Sequence, residues 1–529
     1  MERPLWKRLA CDVSRAADIE RERENGIRPW RFIARFANRP RAPAGPPAAR
    51  FGAAEGAGAW VNDVHAQLNR TRVKAVCRPT SRAAVQSLVR RAAEEGVALC
   101  VAGGRHAMGG QQFAADAVLV DTRGLNGVLG FDWEEGTVTV GAGIQWPELI
   151  PAVIAAQRGA PLQWGIRQKQ TGADRLSLGG ALAANAHGRG LRFKPMIDDV
   201  ESFLLVDADG ELRRCSRAEN AELFRLAIGG YGLFGIVVQA TLRLAPRTKL
   251  RRDVEIVEIE DLMAAFENRI AEGYLYGDFQ FSTDPASDGF LRRGVCACYR
   301  PVDPATPVPD DQRELSRDDW LRLLHLAHSD RARAFELYTR HYLATSGQIY
   351  WSDSHQLGTY IDDYHKLLDR ASGAATPASE MITEIYVPRR SLVDFMAAVR
   401  RDFRRHDVDF IYGTIRLIER DRESALAWAR QAYACVVFNL HVPHSPSGLA
   451  KAALDFRRLI DRGLERDGSF FLTYHRWATR DQIAAAYPQV PAFLRSKRRH
   501  DPDERFQSDW YRHLKALIDG PSGAPREGP

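Results

Sequence analysis

The chain has few cysteines and no long apolar segment. Its seven cysteines are scattered between Cys11 and Cys435, only Cys296 and Cys298 are close in sequence, and no zinc-ligand spacing appears. This pattern is typical of free thiols in a reducing compartment. No run reaches the roughly 18 apolar residues of a membrane span, and the amino terminus becomes charged at once, unlike a secretory signal. These absences predict a cytoplasmic protein with neither an integral membrane segment nor a metal.

Neither sign of charge dominates. The 74 basic residues against 67 acidic ones leave a net charge of +7, which is small for 529 residues. Such a balance argues against a nucleic-acid partner and allows weak attraction of anionic substrates. The chain also lacks a G-x-S-x-G elbow, an H-E-x-x-H motif and the glycine-lysine step of a phosphate loop, which disfavours a hydrolase or a nucleotide triphosphatase.

What the chain does contain is three glycine-rich segments. The first, residues 101–112, follows an apolar β-like run and places four glycines around His106. Without Cβ atoms, such glycines let backbone N–H groups converge on an anion such as a phosphate. The second, residues 171–190, has small residues at nearly every position, so a planar ligand could lie against the main chain.

The third segment, residues 227–238, carries Gly230, Gly232 and Gly235 in the spacing G-x-G-x-x-G. A dinucleotide fingerprint must follow a strand and open a helix. Here a helical pattern precedes the glycines and a strand pattern follows them. The third segment is therefore predicted to be a helix-to-strand turn.

Together the three segments resemble the FAD-binding domain of the vanillyl-alcohol oxidase and p-cresol methylhydroxylase family of flavoproteins, from about Val61 to Pro246. The second segment is similar to a loop of sugar-lactone oxidases and decaprenylphosphoryl-ribose oxidase, and the third to an element that holds the flavin through backbone atoms. The resemblance implies FAD as the cofactor. The residues that it implies for FAD binding are Gly103, Gly104, Arg105, His106, Ala107, Met108, Gly172, Ala173, Asp174, Leu178, Gly179, Gly180, Asn185, His187, Gly188, Gly230, Gly235, Ile236 and Val237.

Family members with a histidine in the first segment often carry FAD covalently. The resemblance therefore implies a bond from the imidazole of His106 to the flavin. Arg105 stands between the glycines and this histidine, which departs from the family pattern. Cytokinin dehydrogenases have a similar histidine followed shortly by Gly-Gln, here Gly110-Gln111.

The predicted fold is α+β, with a two-subdomain FAD-binding domain of the p-cresol methylhydroxylase type and an α+β substrate (cap) domain. The predicted parts of the chain are a basic, Pro/Ala-rich extension (1–58), the FAD-binding domain (59–246), the cap domain (247–472) and a segment that returns to the flavin (473–529).

Two stretches of the cap resemble aldonolactone oxidases, in which a Glu-x-x-Val-Pro strand precedes a strand bearing Glu-x-Arg. Residues 381–390 contain Glu384 in the first pattern, and residues 412–418 retain the arginine as Arg416. Thr414 stands where the acid would be, so the lactone-oxidase pocket is not fully reproduced. Glu384 and Arg416 either face the substrate or pair with each other within the sheet.

The segment Phe470–Trp477 resembles a strand that crosses back to the flavin in this family. Ungapped comparison with decaprenylphosphoryl-ribose oxidase places Tyr474 where that enzyme has a lysine, with His475 beside it. Either residue could accept a proton, since an imidazole titrates near neutral pH and a phenol can relay a proton. In a strand, one of the two must point away from the flavin.

The function implied is oxidation of a CH–OH group of a sugar, an aldonolactone or another alcohol to a carbonyl by hydride transfer to flavin N5. Tyr474 or His475 would take the proton and Arg416 would orient the small-molecule substrate. Oxygen or another acceptor would reoxidise the flavin. Two alternatives remain open: an amine (CH–NH) dehydrogenase similar to cytokinin dehydrogenase, and a catalytically silent FAD-binding protein.

Overall fold

The structure is a computed structural model that describes residues 58–520 apart from positions 359, 360 and 362. The predicted extension at residues 1–58 falls outside this part except for its last residue. Helices together with parallel and antiparallel sheets confirm the predicted α+β class. Within the described ranges, no helix is both long enough and apolar enough to cross a membrane.

A small parallel sheet opens the described chain, after a two-stranded ribbon. The ribbon is β1 (Ala59–Val61) with β2 (Thr71–Val73), and the sheet is β3 (Ala75–Cys77), β5 (Val118–Asp121) and β4 (Leu99–Ala102) in spatial order. Helix α1 (Arg82–Glu94) joins β3 to β4 and begins at Ser81, whose hydroxyl accepts the Ala84 N–H. The first glycine-rich segment begins where β4 ends, at the carboxyl edge of this sheet.

A five-stranded antiparallel sheet follows. In spatial order its strands are β10 (Leu212–Ser216), β9 (Val200–Val206), β11 (Ile236–Arg243), β7 (Thr137–Gly141) and β6 (Val128–Asp132). The helices of this region are α2 (Trp146–Ala156), α3 (Leu178–Ala183) and α4 (Ala221–Ala227), and a ribbon pairs β8 (Trp164–Gly165) with β12 (Ala245–Pro246). The third glycine-rich segment joins α4 to β11. The prediction of a helix-to-strand turn is therefore confirmed.

The remaining strands form one eight-stranded antiparallel sheet. In spatial order they are β16 (Ile349–Trp351), β13 (Lys249–Glu258), β15 (Arg293–Pro301), β14 (Tyr276–Phe281), β18 (Phe410–Ile418), β19 (Tyr433–Pro443), β17 (Ala378–Pro388) and β20 (Ser469–Phe470). The helices around this sheet are α5 (Ile259–Ala271), α6 (Arg317–Ser329), α7 (Arg331–Ala344), α8 (Tyr364–Ser372), α9 (Leu392–Arg405) and α10 (Pro446–Leu464).

The two faces of this large sheet have different surroundings. On β17, Ile385 faces α10, where a Cβ on Gly463 would stand 2.6 Å from its Cγ2 atom. Because side chains alternate along a strand, Glu384 points to the opposite side, toward the glycine-rich segments. We call this side the polar face. It carries Glu380, Glu384 and Tyr386 of β17, Cys435 and His441 of β19, and Arg416 of β18, because directly paired residues share a face.

The predicted strand from Phe470 to Trp477 is wrong beyond Phe470. β20 has two residues, and the chain then turns because the carbonyls of Leu472 and Thr473 bond to the first glycine-rich segment instead of to a neighbouring strand. The last helices are α11 (Arg480–Ala486), α12 (Val490–His500) and α13 (Asp509–Asp519). Between α12 and α13 the chain reaches the parallel sheet, where Leu99 N–H donates to the Arg505 carbonyl at 2.6 Å.

Candidate active site

The first glycine-rich segment is held against the turn that precedes Tyr474. The backbone N–H groups of Met108 and Gly109 both donate to the Thr473 carbonyl, each at 3.0 Å. The Gln111 side chain donates to the Leu472 carbonyl at 2.7 Å. Tyr474 is therefore fixed in position relative to the segment predicted to bind FAD.

The first and second segments are in direct contact. A Cβ at Gly103 would lie 1.8 Å from Ser177 Oγ, and one at Gly104 would lie 2.2 Å from the Arg175 carbonyl oxygen. Both separations are shorter than any side chain tolerates, so only glycine allows the two segments to pack this closely.

The third segment completes the arrangement. The Tyr231 N–H donates to the Ala183 carbonyl at 3.0 Å, at the end of α3 in the second segment. The Tyr231 hydroxyl lies 3.1 Å from Thr473 Oγ1. All three glycine-rich segments thus meet beside the turn at 472–473.

Some predicted FAD-binding residues bond within the protein. Ile236 and Val237 pair with β9 in the five-stranded sheet, Leu178 N–H donates to the Ile144 carbonyl, and Asn185 Nδ2 donates to Asp421. The other predicted FAD-binding residues of the three glycine-rich segments are Ala107, Gly172, Ala173, Gly179, Gly180, Gly188, Gly230 and Gly235.

Asp174, another predicted FAD-binding residue, accepts a hydrogen bond from the buried Lys169 Nζ at 2.5 Å and from the Gly358 N–H at 2.8 Å. Sequence reasoning did not identify Lys169, and a lone lysine between two glutamines gives no signal of burial. Asp174 therefore forms an ion pair with Lys169 inside the protein.

The second segment also offers polar groups to a ligand. Gln170 Oε1 and Thr171 Oγ1 are buried and have no hydrogen-bond partner among the described residues. Buried polar atoms are almost always bonded in native proteins. Together with the glycines that leave main chain accessible, these two atoms fit a bound FAD.

A cleft of about 470 Å³ lies at the carboxyl edge of the parallel sheet. Its lining includes Arg78, Asp121 and Arg123, and Arg105 lies 3.6 Å from Asp121. Glu148 also lines the cleft, so the two arginines that line it are balanced by two carboxylates. The cleft lies where ligands of open parallel sheets usually bind. Of these arginines, only Arg105 was predicted from the sequence. Arg78 and Arg123 could have been found because they follow closely after β3 and β5, at the carboxyl edge of the sheet.

His106 is half-buried in the first segment. Its Nδ1 atom lies 2.8 Å from Nε2 of His65. Burial, and then the charge of His65, lowers the pKa of His106 well below the usual value. The imidazole of His106 is therefore neutral, and its Nδ1 atom is in contact with His65.

Glu384 is the centre of a buried cluster on the polar face. Its Oε1 accepts the hydroxyl of Tyr474 at 2.7 Å, and its Oε2 accepts the hydroxyl of Tyr386 at 2.7 Å. His187 Nε2 lies 2.8 Å from the same Oε2, and Cys435 Sγ lies 3.6 Å from it. The cluster joins the second glycine-rich segment, the large sheet and the turn at 472–473.

The carboxyl group of Glu384 is ionised despite its burial. Burial by itself would raise its pKa, but His187, the charge of Arg416 and the Tyr474 hydrogen bond lower the pKa of Glu384 to about 2. Tyr474, which is buried beside this carboxylate, has a pKa well above the usual range and keeps its proton. The cluster therefore pairs a phenol donor with an anionic acceptor.

Tyr474 and His475 lie on opposite sides of the large sheet. Tyr474 joins Glu384 on the polar face, whereas His475 packs against Phe456 of α10 with ring centroids 4.7 Å apart and lies 3.4 Å from Thr383 Oγ1. Burial lowers the pKa of His475 to about 3. Of the two candidate proton acceptors, the structure brings only Tyr474 to the cluster.

Arg416 and Glu384 share the polar face but do not pair across neighbouring strands, because β19 lies between β18 and β17. Arg416 is opposite Cys435 and is 8% exposed. Its Nε atom and the Thr414 hydroxyl are buried without a hydrogen-bond partner among the residues described here. Both groups are thus available to a substrate.

Sequence reasoning did not identify Tyr386 and Cys435. Two-residue alternation along the strand places Tyr386 on the face of Glu384, which was a usable signal. No local pattern marks Cys435, because its place beside Glu384 depends on the pairing of β17 with β19.

Residues 73–216 match the protein family described as FAD binding domain. The chain is 31% identical to an uncharacterised oxidoreductase of the fasciation locus of Rhodococcoides fascians, over 40% of this chain and 47% of that protein. It is 28% identical to L-gulono-1,4-lactone dehydrogenase of Mycobacterium tuberculosis, over 45% of this chain and 52% of that enzyme. It is 24% identical to decaprenylphosphoryl-β-D-ribose oxidase of Mycolicibacterium smegmatis, over 81% of this chain and 92% of that enzyme.

The fold, the converging segments and this match define an FAD-binding protein. The resemblance to FAD-linked oxidoreductases is confirmed, and FAD is confirmed as the predicted cofactor. The chain spans about half the length of the first two relatives.

Proposed function

We propose that this chain is an FAD-dependent oxidoreductase that oxidises a CH–OH group of a sugar, an aldonolactone or another alcohol to a carbonyl. The observation that carries the proposal is the Tyr474–Glu384–His187 cluster, which lies where the FAD-binding segments meet the polar face. The two relatives named for a lactone and a ribose support an alcohol as the reacting group.

The domain plan follows from the sequence. In this proposal residues 59–246 form two subdomains with FAD between them and residues 247–472 form the cap. The closing segment 473–529, of which residues 521–529 lie outside the described part, returns to the flavin. The first and second glycine-rich segments hold FAD through main-chain groups. The chemistry that FAD supplies when bound is acceptance of a hydride.

The residues of this chain handle the proton. As the carbonyl forms, the hydroxyl of Tyr474 accepts the proton of the substrate alcohol and passes its own proton to Glu384, to which it is already hydrogen-bonded. Because the pKa of Glu384 is low, this carboxylate holds the proton only during the step and then releases it. His187 and Tyr386 hold the carboxylate in place from its other oxygen. Because the site is buried, these hydrogen bonds are not exposed to competing water.

Arg416 orients the substrate. Its unpartnered Nε atom donates to a substrate oxygen, and the Thr414 hydroxyl is a second contact on the same strand. Lys169 and Arg189 lie near Arg416 but are paired with Asp174 and Asp278, so the guanidinium of Arg416 is the cation offered to the substrate.

The test is anaerobic bleaching of the bound flavin. The purified chain is mixed with a panel of aldonolactones and sugars, and separately with matched amines, and absorbance of the oxidised flavin is followed. We expect at least one alcohol to bleach the flavin. Bleaching by amines alone would assign the chain to CH–NH oxidation, and a flavin that no compound reduces would make it a catalytically silent binding protein.

A further inference from the structure

A second cluster of titratable side chains lies at the far end of the polar face. Glu380 Oε1 of β17 is 3.2 Å from His441 Nδ1 of β19 and 3.4 Å from His328 Nε2 of α6. The Glu380 side chain is 1% exposed and the two histidines are 18% and 23% exposed. None of these three residues contributes to the Glu384 cluster.

We propose that His328, Glu380 and His441 bind a zinc ion. Two imidazoles and a carboxylate are a usual zinc ligand set, and metal–ligand distances of roughly 2.0–2.2 Å place the ligand atoms of a tetrahedral site about 3.4 Å apart. The distances from Glu380 Oε1 to His441 Nδ1, 3.2 Å, and to His328 Nε2, 3.4 Å, match this ligand-to-ligand distance. All three ligand atoms lie within 4.8 Å of one another. Water would occupy the fourth position, on the partly exposed side.

Two unsatisfied atoms support the site. Glu380 Oε2 and His328 Nε2 are buried and make no hydrogen bond to any residue in the described part of the chain. A buried carboxylate oxygen without a donor is costly. A cation between the three side chains would bind His328 Nε2 directly, and the water in its fourth position would be placed to donate to Glu380 Oε2.

The surrounding charges also favour a cation. Asp369 adds a carboxylate near His441. The carboxylate of Asp409 is ion-paired with Arg331, and the backbone carbonyl of Asp409 accepts the backbone N–H of His441 at 2.9 Å.

The ion would fasten α6 to the large sheet. α6 has no buried residue, and α7, the helix that follows it, buries Tyr338 alone. Helices in proteins are held mainly by an apolar face. α6 packs against α7, α8 and β18 through half-buried side chains, and a metal bond from His328 to two strands would add a direct attachment to the sheet.

The test uses the full chain with its flavin, stripped of metal by a chelator and titrated with zinc. Wild type should bind one zinc ion per chain and gain thermal stability, and His328→Gln and His441→Gln should bind at least about tenfold more weakly. The matched control is His325→Gln, which removes an exposed histidine one turn earlier on α6 and should bind like wild type. Retained flavin in each variant shows that it is folded.

Replacing zinc with cobalt identifies the ligands. Tetrahedral cobalt with nitrogen and oxygen ligands should give visible bands without a cobalt–thiolate charge-transfer band. A thiolate band would place the ion at Cys435 with His187 and Glu384 instead, and would overturn the proposal. Equal zinc binding by wild type and both ligand variants, or no binding by wild type at micromolar zinc, would overturn it as well.

Discussion

The phenol of Tyr474 donates a 2.7 Å hydrogen bond to Glu384, a carboxylate that is 1% exposed on strand β17 of the eight-stranded sheet. Ninety residues of sequence separate the two side chains. The bond links the turn that contacts the first glycine-rich segment to the polar face. It is the contact on which the proposed proton transfer depends.

Tyr474→Phe should slow flavin reduction by the substrate by about 100-fold or more, because general acid–base groups contribute roughly 10²–10⁴ to a rate. The variant keeps the ring and its packing, so bound FAD should remain. Stopped-flow absorbance under anaerobic conditions measures the reduction rate.

Tyr511→Phe is the matched control for that variant. Tyr511 also donates to a carboxylate, Glu504, at 2.8 Å, but it lies on α13. Its loss should leave flavin reduction unchanged. An unchanged rate in Tyr474→Phe would remove Tyr474 from the mechanism.

Glu384 should stabilise the protein in a pH-dependent way. Its pKa is about 2 when folded and near 4.5 when exposed, so its contribution is complete above pH 5 and is lost as pH falls toward 2. The shift corresponds to about 3 kcal/mol. Urea unfolding of wild type and Glu384→Gln at pH 7, 5 and 3 should therefore show a difference that shrinks at the lowest pH.

Glu211→Gln serves as the comparison for Glu384→Gln. Glu211 pairs with Arg90 at the surface, and both side chains are about half exposed. Such pairs contribute little, so this variant should unfold like wild type at each pH. A difference between wild type and Glu384→Gln that stays constant from pH 7 to pH 3 would contradict the low pKa of Glu384.

The features that could be predicted from the sequence are those that depend on a local pattern of residues. The helix-to-strand turn at 230–235 was predicted where the structure has it. The glycines at 103–110 were predicted to open the backbone to an anion, and the close packing of Gly103 and Gly104 against the second segment was not predicted. The Glu384–His187 contact spans 197 residues and depends on how strands β17, β18 and β19 pair. The strand predicted through Tyr474 failed because long-range bonds from Met108 and Gly109 take the carbonyl that a strand would have used.

FAD should be attached covalently through His106. Burial keeps this imidazole neutral, and His65 lies 2.8 Å from its Nδ1 atom. After acid precipitation the yellow colour should stay with wild-type protein and move to the supernatant with His106→Ala. Flavin released in full from wild type would limit His106 to a non-covalent role.

Gly103→Ala should reduce the FAD content of the purified protein. Its new methyl group would stand 1.8 Å from Ser177 Oγ, which forces the first and second segments apart and typically costs about 1–3 kcal/mol. The flavin-to-protein absorbance ratio after gel filtration measures the effect. Gly130→Ala is the control, because its nearest atom, Thr139 Cβ, is 3.9 Å away.

A second variant separates contact between the segments from general misfolding. Ser177→Gly removes the atoms that the new methyl group meets, at the expense of the Ser177 cap on α3. The double variant Gly103→Ala/Ser177→Gly should therefore recover FAD content to the level of Ser177→Gly alone. If the double variant stays as poor in FAD as Gly103→Ala, the glycine is required for contact with the cofactor itself. If Gly103→Ala keeps full FAD, close packing of the two segments is not what builds the site.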